Sequence, residues 1–233
     1  MVNNGLTTDM SPSTIKVSVV VPVYNEVGNI DRLYRELKKA LTGIPSEIIF
    51  VDDGSEDDSG KAIKNHKDIK LLQIKHAGKT SALKAGFMAT TGNIVVTIDA
   101  DLQEDVSQIP NMIQLLSSGY DGVQAVRLHR NDSMIVKKIP SFLYNLMIFL
   151  IYGKYFTDIN CGFRAFTSEA VKSIVWIRGA HRLFPLMVVL KGGKVKCFPV
   201  LHYKRQAGKA KYDSPSRFLE AIGDLIRYRM EVK

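Results

Sequence analysis

Long apolar runs are what this chain lacks most plainly. No stretch of its 233 residues reaches the roughly 18 to 20 apolar residues that a membrane-crossing helix needs. The nearest, Ile139 to Tyr152 (IPSFLYNLMIFLIY), is too short and carries Pro140 and Asn145. It reads either as a buried core helix or as a segment lying in a membrane interface, the second because Lys137, Lys138 and Lys154 flank it. Cysteine is scarce as well. Cys161 and Cys197 are the only two, without metal-ligand spacing, which excludes a disulfide-built scaffold and a zinc ribbon. A reduced, cytoplasmic compartment is the simplest expectation, with a bond between the pair left open. The first fourteen residues lack the charged-then-apolar order of a secretory signal and are expected to form a loose tail. No internal repeat and no low-complexity linker is present.

Acid is the minority charge: 23 Asp and Glu stand against 32 Lys and Arg, for a formal net charge of +9. Such an excess favours anionic partners, whether nucleic acid, anionic lipid or phosphorylated substrates. Nucleic acid is disfavoured, because no groove-reading motif occurs and aromatics are not interleaved with the basic runs. The two signs are also segregated. Acids gather at Asp52 to Asp58 and Asp99 to Asp105, bases at Arg127 to Lys138 and Lys191 to Lys211.

What is present is a repeated strand-then-helix pattern. Val17 to Val23 is a nearly continuous apolar run, as in a strand buried on both faces of a parallel sheet. Glu26 to Leu41 then shows helical spacing at Ile30, Leu33, Leu37 and Leu41. Strand Glu47 to Val51 leads to helix Ser59 to His66, strand Ile69 to Ile74 to helix Lys79 to Ala89, and strand Asn93 to Ile98 to helix Val106 to Leu116. The pattern predicts an α/β fold with an open, mostly parallel, doubly wound sheet. Beyond strand Asp121 to Arg127 it loosens. Helices are expected over Met134 to Tyr152, Ser168 to Val175 and His181 to Leu190, and strands over Gly162 to Phe166 and Lys194 to Val200. Pro215 to Val232 is an amphipathic helix with Phe218, Leu219, Ile222, Leu225 and Ile226 on one side. This divides the chain into a tail (1–14), a main domain (15–212, with halves 15–104 and 105–212) and a C-terminal amphipathic helix (213–233).

Ligands of such sheets sit beyond the carboxyl ends of the strands, and the polar motifs fall there. In NIVVTIDADLQED, Asp99 and Asp101 follow a buried strand two residues apart, so both carboxylates can reach one cation, and Gln103 can add an amide oxygen. Hard divalent ions take such oxygen ligands and bridge substrate phosphates. The competing reading is an acidic turn that caps the next helix. The first strand ends in Val-Pro-Val-Tyr-Asn-Glu (21–26) and the second in Val-Asp-Asp-Gly-Ser-Glu-Asp (51–57). Their acids suit hydrogen bonding to a nucleobase or ribose, or ordinary N-capping by Asn25 and by Asp57 or Ser59. Gly78-Lys79-Thr80 matches the end of a phosphate loop, but Gln73 stands where the first glycine is required, so that loop is incomplete.

The ordered set PVYNE, VDDGS, GKTSAL, DADLQ resembles glycosyltransferase family 2, inverting nucleotide-diphospho-sugar transferases with the GT-A (Rossmann-like) fold, over about residues 16–205. The DADLQ form, Asp158-Ile-Asn-Cys-Gly-Phe-Arg164 and Arg205-Gln-Ala-Gly-Lys-Ala-Lys-Tyr212 are most similar to the dolichol-phosphate mannose synthase and polyprenyl-phosphate glycosyltransferase branch. The Gln-x-x-Arg-Trp signature of processive polysaccharide synthases is missing, and Trp176 is assigned to packing.

The resemblance implies transfer of one hexose from a nucleotide-sugar donor, GDP-mannose or a UDP-hexose, to a lipid phosphate at a cytoplasmic membrane face. It implies Pro22, Tyr24, Glu26, Asp53, Lys79, Asp99 and Ala100 around the nucleotide, and Asp99, Asp101 and Gln103 holding Mg2+ or Mn2+. Relatives usually carry Asn where this chain has His76, which leaves the base open. Arg127, Lys137, Lys138, Ser141 and Lys209 would hold the acceptor phosphate, with lysines where arginine is usual. Asp101, Asp158 and Arg205 are the candidate catalytic residues. Asp158 is a base or acceptor-orienting group, its bland alternative being a structural pair with Arg164. His181 and His202 are assigned no chemistry. A saccharide or other hydroxyl is the alternative acceptor, and a non-catalytic sugar-nucleotide or anionic-surface binder a distant one. Attachment to the membrane surface is expected to be peripheral, with or without a small membrane partner protein.

Overall fold

The computed structural model describes residues 15–128, 139–203 and 216–231. Its centre is β1 (Val17–Val23), whose valines are branched at Cβ and buried on both faces, the setting that favours strand. Its one hydroxyl is satisfied locally: Ser18 donates to Glu47 Oε1 at 2.6 Å and accepts from the Gly92 amide at 2.9 Å.

On one side β1 pairs in parallel with β2 (Ser46–Asp52), and β2 with β3 (Ile69–Gln73). On the other it pairs in parallel with β4 (Ile94–Thr97). Then comes a reversal: β6 (Arg164–Thr167) runs antiparallel between β4 and β5 (Gly122–Leu128), and β7 (Val195–Leu201) closes the far edge parallel to β5. The order is therefore β3-β2-β1-β4-β6-β5-β7. Because the chain winds outward from β1 in both directions, the β1/β4 boundary is the topological switch point, where a crevice opens beyond the carboxyl ends.

Helices cover both faces. One core packs α1 (Ile30–Ala40), α2 (Ser59–Lys64) and α4 (Ile109–Ser117) against the sheet. In α1 the buried Ile30, Leu33 and Leu37 form a single stripe, with Asp31 in the first turn and Lys38 and Lys39 in the last, as the helix dipole favours. The other core holds α3 (Lys79–Met88), α5 (Ile139–Tyr152), α6 (Ser168–Lys172), α7 (Phe184–Leu190) and α8 (Ser216–Glu231). Here α3 lies so close to the sheet that a Cβ at Gly86 would come within 2.3 Å of Val20 Cγ1. Trp176 packs edge-on against Phe87 and Phe184, as expected.

One expectation needs correction. The α8 stripe is not the one read from the sequence: Ala221, Leu225 and Tyr228 are buried, whereas Leu219 is 70% and Ile226 50% exposed. The buried side is fixed by a polar anchor, Asp224, which takes Arg182 at 2.5 Å. The segment Ile139–Tyr152 is a helix with one side in the core and the other exposed. Tyr144, Asn145 and Ile148 are in the core, while Phe142, Leu143, Leu146, Phe149 and Leu150 are exposed. Phe142, Leu146 and Phe149 line, with Tyr155, an apolar groove of about 240 Å³. Finally, Cys161 and Cys197 are both free thiols. Among the described residues no helix is long and apolar enough to cross a membrane.

Candidate active site

The site is built where β1, β2 and β4 end. After β1, Asn25 adopts a left-handed backbone (φ 51°), which Asn tolerates. Its Oδ1 accepts the Glu56 amide at 2.7 Å, and its own amide donates to Ser55 Oγ at 2.9 Å. Asn25 thus fastens the β1 loop to the β2 loop and does not cap α1, whose N-cap position is Asn29 with no side-chain capping bond. Asp57 behaves similarly, accepting from the amides of Val27 and Ser59. Glu26 is buried, its Oε2 accepting from Asn29 Nδ2 at 2.7 Å and its amide donating to Ser59 Oγ. Pro22 sits in β1 just before this turn.

Asp53, expected to face a nucleobase, is buried and spends one oxygen on each of two backbone amides, Ala77 and Gly78, both at 2.9 Å. It therefore organises the loop 76–79. That loop returns His76 over the pocket: its ring stacks on Tyr24 with centroids 4.3 Å apart, and its Nδ1 lies 3.0 Å from the Asp53 carbonyl oxygen. Gly54, with φ +69°, leaves no room for a side chain there, since a Cβ would meet the His76 amide nitrogen at 2.8 Å.

Asp99, Ala100 and Asp101 follow β4. The turn that carries them is forced, because Leu102 is buried yet left-handed (φ 58°), a conformation costing on the order of 1–3 kcal/mol for such a residue. Asp101 Oδ1 accepts the Gln103 amide at 3.3 Å, and Gln103 reaches across to the Tyr203 carbonyl. Backbone bonds from Tyr203 to Gln103 and a bridge between Glu104 and His202 tie this turn to the end of β7. Lys79, the first residue of α3, places Nζ 2.5 and 2.8 Å from the two oxygens of Asp99. Behind that carboxylate stands Gly162, where a Cβ would fall 2.6–2.7 Å from all three carboxyl atoms. The antiparallel pairing of β6 with β4 brings Gly162 there, and Thr97 Oγ1 donates to its carbonyl at 2.8 Å.

Charge in this crevice is nearly balanced. Burial works to raise the pKa of Asp99, but Lys79 outweighs it, helped by Arg164 and Arg127, and the carboxyl is held below its usual value. Arg164, buried, donates to Gln124 Oε1 at 2.7 Å and to the Ile159 and His181 carbonyls, and burial lowers its pKa to about 10. The Asp158–Arg164 pair, the structural alternative for Asp158, is not formed: the guanidinium is engaged by Gln124 and those carbonyls. Asp158 instead pairs with Arg127, in a two-pronged contact of 2.7 and 2.8 Å. Both side chains are largely buried, so Arg127 reaches the site already bonded to a carboxylate.

Glu104 is the acid that sequence reasoning missed. It is buried, its Oε2 has no hydrogen-bond partner, and burial followed by the charges of Asp99 and Asp101 pushes it up to about 8. With Glu104 carrying its proton, Asp99, Asp101 and Asp158 face Lys79, Arg127 and Arg164, three against three. The only sequence signal was its place in the acidic run.

Lys137, Lys138, Arg205 and Lys209 lie outside the described residues, as does the side chain of Ser141. Among the described residues no three His, Cys, Asp or Glu side chains form a ready-made metal cage. Asp99, Asp101 and Gln103 nevertheless offer two carboxylates and an amide at one turn. Such a hard, incomplete oxygen set fits an ion that also takes ligands from a bound phosphate and from water.

A doubly wound sheet with acids at its switch point and a cation within reach has its polar groups gathered where such sheets bind ligands. Comparison with known proteins narrows this. The chain belongs to glycosyl transferase family 2, whose model matches residues 18–175, and it is a glycosyltransferase. It is 33% identical over 223 residues to the undecaprenyl-phosphate 4-deoxy-4-formamido-L-arabinose transferase of Klebsiella pneumoniae strain 342, covering 92% of this chain and 68% of that one. The protein of the same description from Yersinia enterocolitica is 33% identical over 219 residues, 91% of this chain and 66% of that one. Among solved structures, glucosyl-3-phosphoglycerate synthase of Mycobacterium tuberculosis, with Mn2+, UDP-glucose and phosphoglyceric acid, superposes with a TM-score of 0.74 at 18% identity, covering 94% of this chain and 79% of that one. Its complex with Mg2+ and UDP gives 0.68 at 17% identity, with 94% and 79% covered. The resemblance of the fold to GT-A enzymes is thereby established.

Proposed function

We propose that this enzyme moves one sugar, with inversion, from a nucleoside-diphosphate sugar to a polyprenyl phosphate at the cytoplasmic face of a membrane. The observation that carries the reading is the Asp99–Asp101 turn at the switch point, held opposite Lys79, in a chain one third identical to undecaprenyl-phosphate sugar transferases. The donor is GDP-mannose or a UDP-hexose, the acceptor an undecaprenyl or dolichyl phosphate.

In this reading residues 15–104 hold the nucleotide and residues 105–212 the acceptor. Pro22, Tyr24, Glu26 and the Asp53-braced loop bound the base and ribose, while Asp99, Ala100, Asp101 and Gln103 face the diphosphate. A bound Mg2+ or Mn2+ supplies neutralisation of the charge that grows on the leaving diphosphate, and Asp99, Asp101 and Gln103 would hold it. Lys79 adds a cation to the same end of the donor. Lys137, Lys138, Ser141, Arg205 and Lys209 receive the acceptor phosphate. A phosphate monoester is largely ionised near neutral pH, its second pKa being about 6, so it needs positioning more than a base. The Arg127–Asp158 pair suits that demand: Asp158, tied to a guanidinium, orients Arg127 and has little call to abstract a proton. Exposed Phe142, Leu146, Phe149 and Leu150 on α5 give the enzyme an apolar face for a lipid surface.

A thermal-shift panel of GDP- and UDP-sugars, each with EDTA, Mg2+ or Mn2+, tests the donor half. Ligand at about 100 times its Kd adds about 2.7 kcal/mol of stability, so one nucleotide series should raise Tm by several degrees only when metal is present. If no nucleotide sugar shifts Tm under any metal condition, the reading fails.

A further inference from the structure

We propose that Lys79 is an exchangeable cation: it occupies Asp99 in the donor-free enzyme and passes to the donor diphosphate when a divalent ion arrives, so that ion and nucleotide bind as a unit. The proposal rests on the donor-site reading above and assigns an order to its assembly.

Three features of the geometry lead to it. Lys79 Nζ contacts both oxygens of Asp99, at 2.5 and 2.8 Å, so the ammonium sits where a metal ion bound by that carboxylate would sit. The carboxylate is backed on one side by Gly162, where a Cβ would lie 2.6 Å from Oδ2, and it sits on the short stem that follows β4. Lys79 is the longer and more flexible partner. It is the first residue of α3, its side chain is 29% exposed, and a lysine is a point charge on a flexible four-carbon stem.

Two cations cannot share one carboxylate edge without strong repulsion. A metal ion alone must therefore displace Lys79 and leave its charge without a partner in a crevice that already holds Arg127 and Arg164. A nucleoside diphosphate that arrives with the ion gives the ammonium a new anion, and the penalty disappears. Reciprocity follows from linkage: whatever factor the nucleotide adds to metal affinity, the metal adds to nucleotide affinity. A permanent diphosphate contact by Lys79 would make a different prediction, since its removal would then weaken nucleotide binding and leave the affinity for free metal unchanged.

The experiment follows free Mn2+ by electron paramagnetic resonance in titrations of wild type and Lys79→Met, each alone and with saturating UDP or GDP. In wild type, Mn2+ alone should bind weakly, and the matching nucleotide should tighten it at least tenfold. In Lys79→Met, Mn2+ alone should bind at least tenfold tighter than in wild type, and the enhancement by nucleotide should shrink severalfold. Lys79→Arg, which keeps the charge, should stay close to wild type for Mn2+ alone. Circular dichroism and Tm establish that each variant is folded. If Lys79→Met binds Mn2+ alone no tighter than wild type while nucleotide still promotes binding in both, the exchange proposal falls and the donor site stands. If Mn2+ binds to neither protein with either nucleotide, the metal-dependent donor reading falls and takes this proposal with it.

Discussion

Replacing Glu104 with glutamine should make the metal-free enzyme more stable at alkaline pH and leave it nearly unchanged in acid. Glu104 is 5% exposed, and its carboxyl is raised from 4.5 to about 8, by burial first and then by Asp99 and Asp101. In the unfolded chain the same carboxyl ionises near its ordinary value. Between those two values the folded protein holds a proton that the unfolded chain has released, so stability falls as pH rises through the window and levels off above it. The slope for one such group is about 1.4 kcal/mol per pH unit. Glutamine keeps the shape and cannot ionise, so it removes the slope. From pH 6 to pH 8 the variant should gain about 2 to 3 kcal/mol on wild type, or about 5 to 10 °C in Tm for a chain of this size. The assay is thermal unfolding of both proteins in EDTA at half-unit steps from pH 5 to 9. A Tm difference flat across that range, or one favouring wild type more strongly at high pH, would refute the assignment of a protonated Glu104 to the crevice.

Four further outcomes follow from the geometry. Asp158→Ala strands a largely buried Arg127 and should cost about 3–5 kcal/mol in urea unfolding, whereas Arg127→Met with Asp158→Leu should recover most of that loss. Gly162→Ala pushes a methyl into the Asp99 carboxylate; sugar transfer should drop at least tenfold, with a stability cost within the 1–3 kcal/mol of ordinary overpacking. Asp101→Asn should abolish metal-dependent transfer while Tm in EDTA stays within a few degrees of wild type. Phe149→Glu with Leu146→Glu, both on the exposed side of α5, should end flotation with anionic liposomes and change stability by no more than about 0.5 kcal/mol per substitution, the usual range at the surface. Flotation that survives both glutamates counts against α5 as the lipid-facing element.

The first half of the fold was legible because it is locally encoded. Val17–Val23 could be nothing but a two-faced buried strand, and the Ile30, Leu33, Leu37 stripe has one helical reading. The family resemblance then brought Tyr24, Asp53, Lys79, Asp99 and Asp101 to one mouth, and the switch point between β1 and β4 gathers their strand ends. What stayed hidden depends on tertiary neighbours. The insertion of β6 between β4 and β5 is not written in β6 itself, yet it puts Gly162 against Asp99. Arg127 and Asp158 are 31 residues apart, and the nearer candidate partner, Arg164, turned out to be held by backbone carbonyls. Hydropathy located the apolar side chains of α8 but not which of them are covered, since Asp224 and its arginines decide that. Glu104 drew no reading of its own, because burial is not visible in an acidic run.

The proposed acceptor is an ionised lipid phosphate, presented to a metal-dependent donor site. It is tested most directly by supplying a radiolabelled nucleotide sugar chosen from the thermal-shift panel, with Mn2+, to vesicles containing either a polyprenyl phosphate or the same polyprenol without its phosphate. Label should enter an organic-extractable, acid-labile product from the polyprenyl phosphate alone, and be lost on adding EDTA and in Asp101→Asn. Label transferred equally to the phosphate-free polyprenol, or absent from the organic phase with every lipid phosphate supplied, would contradict it.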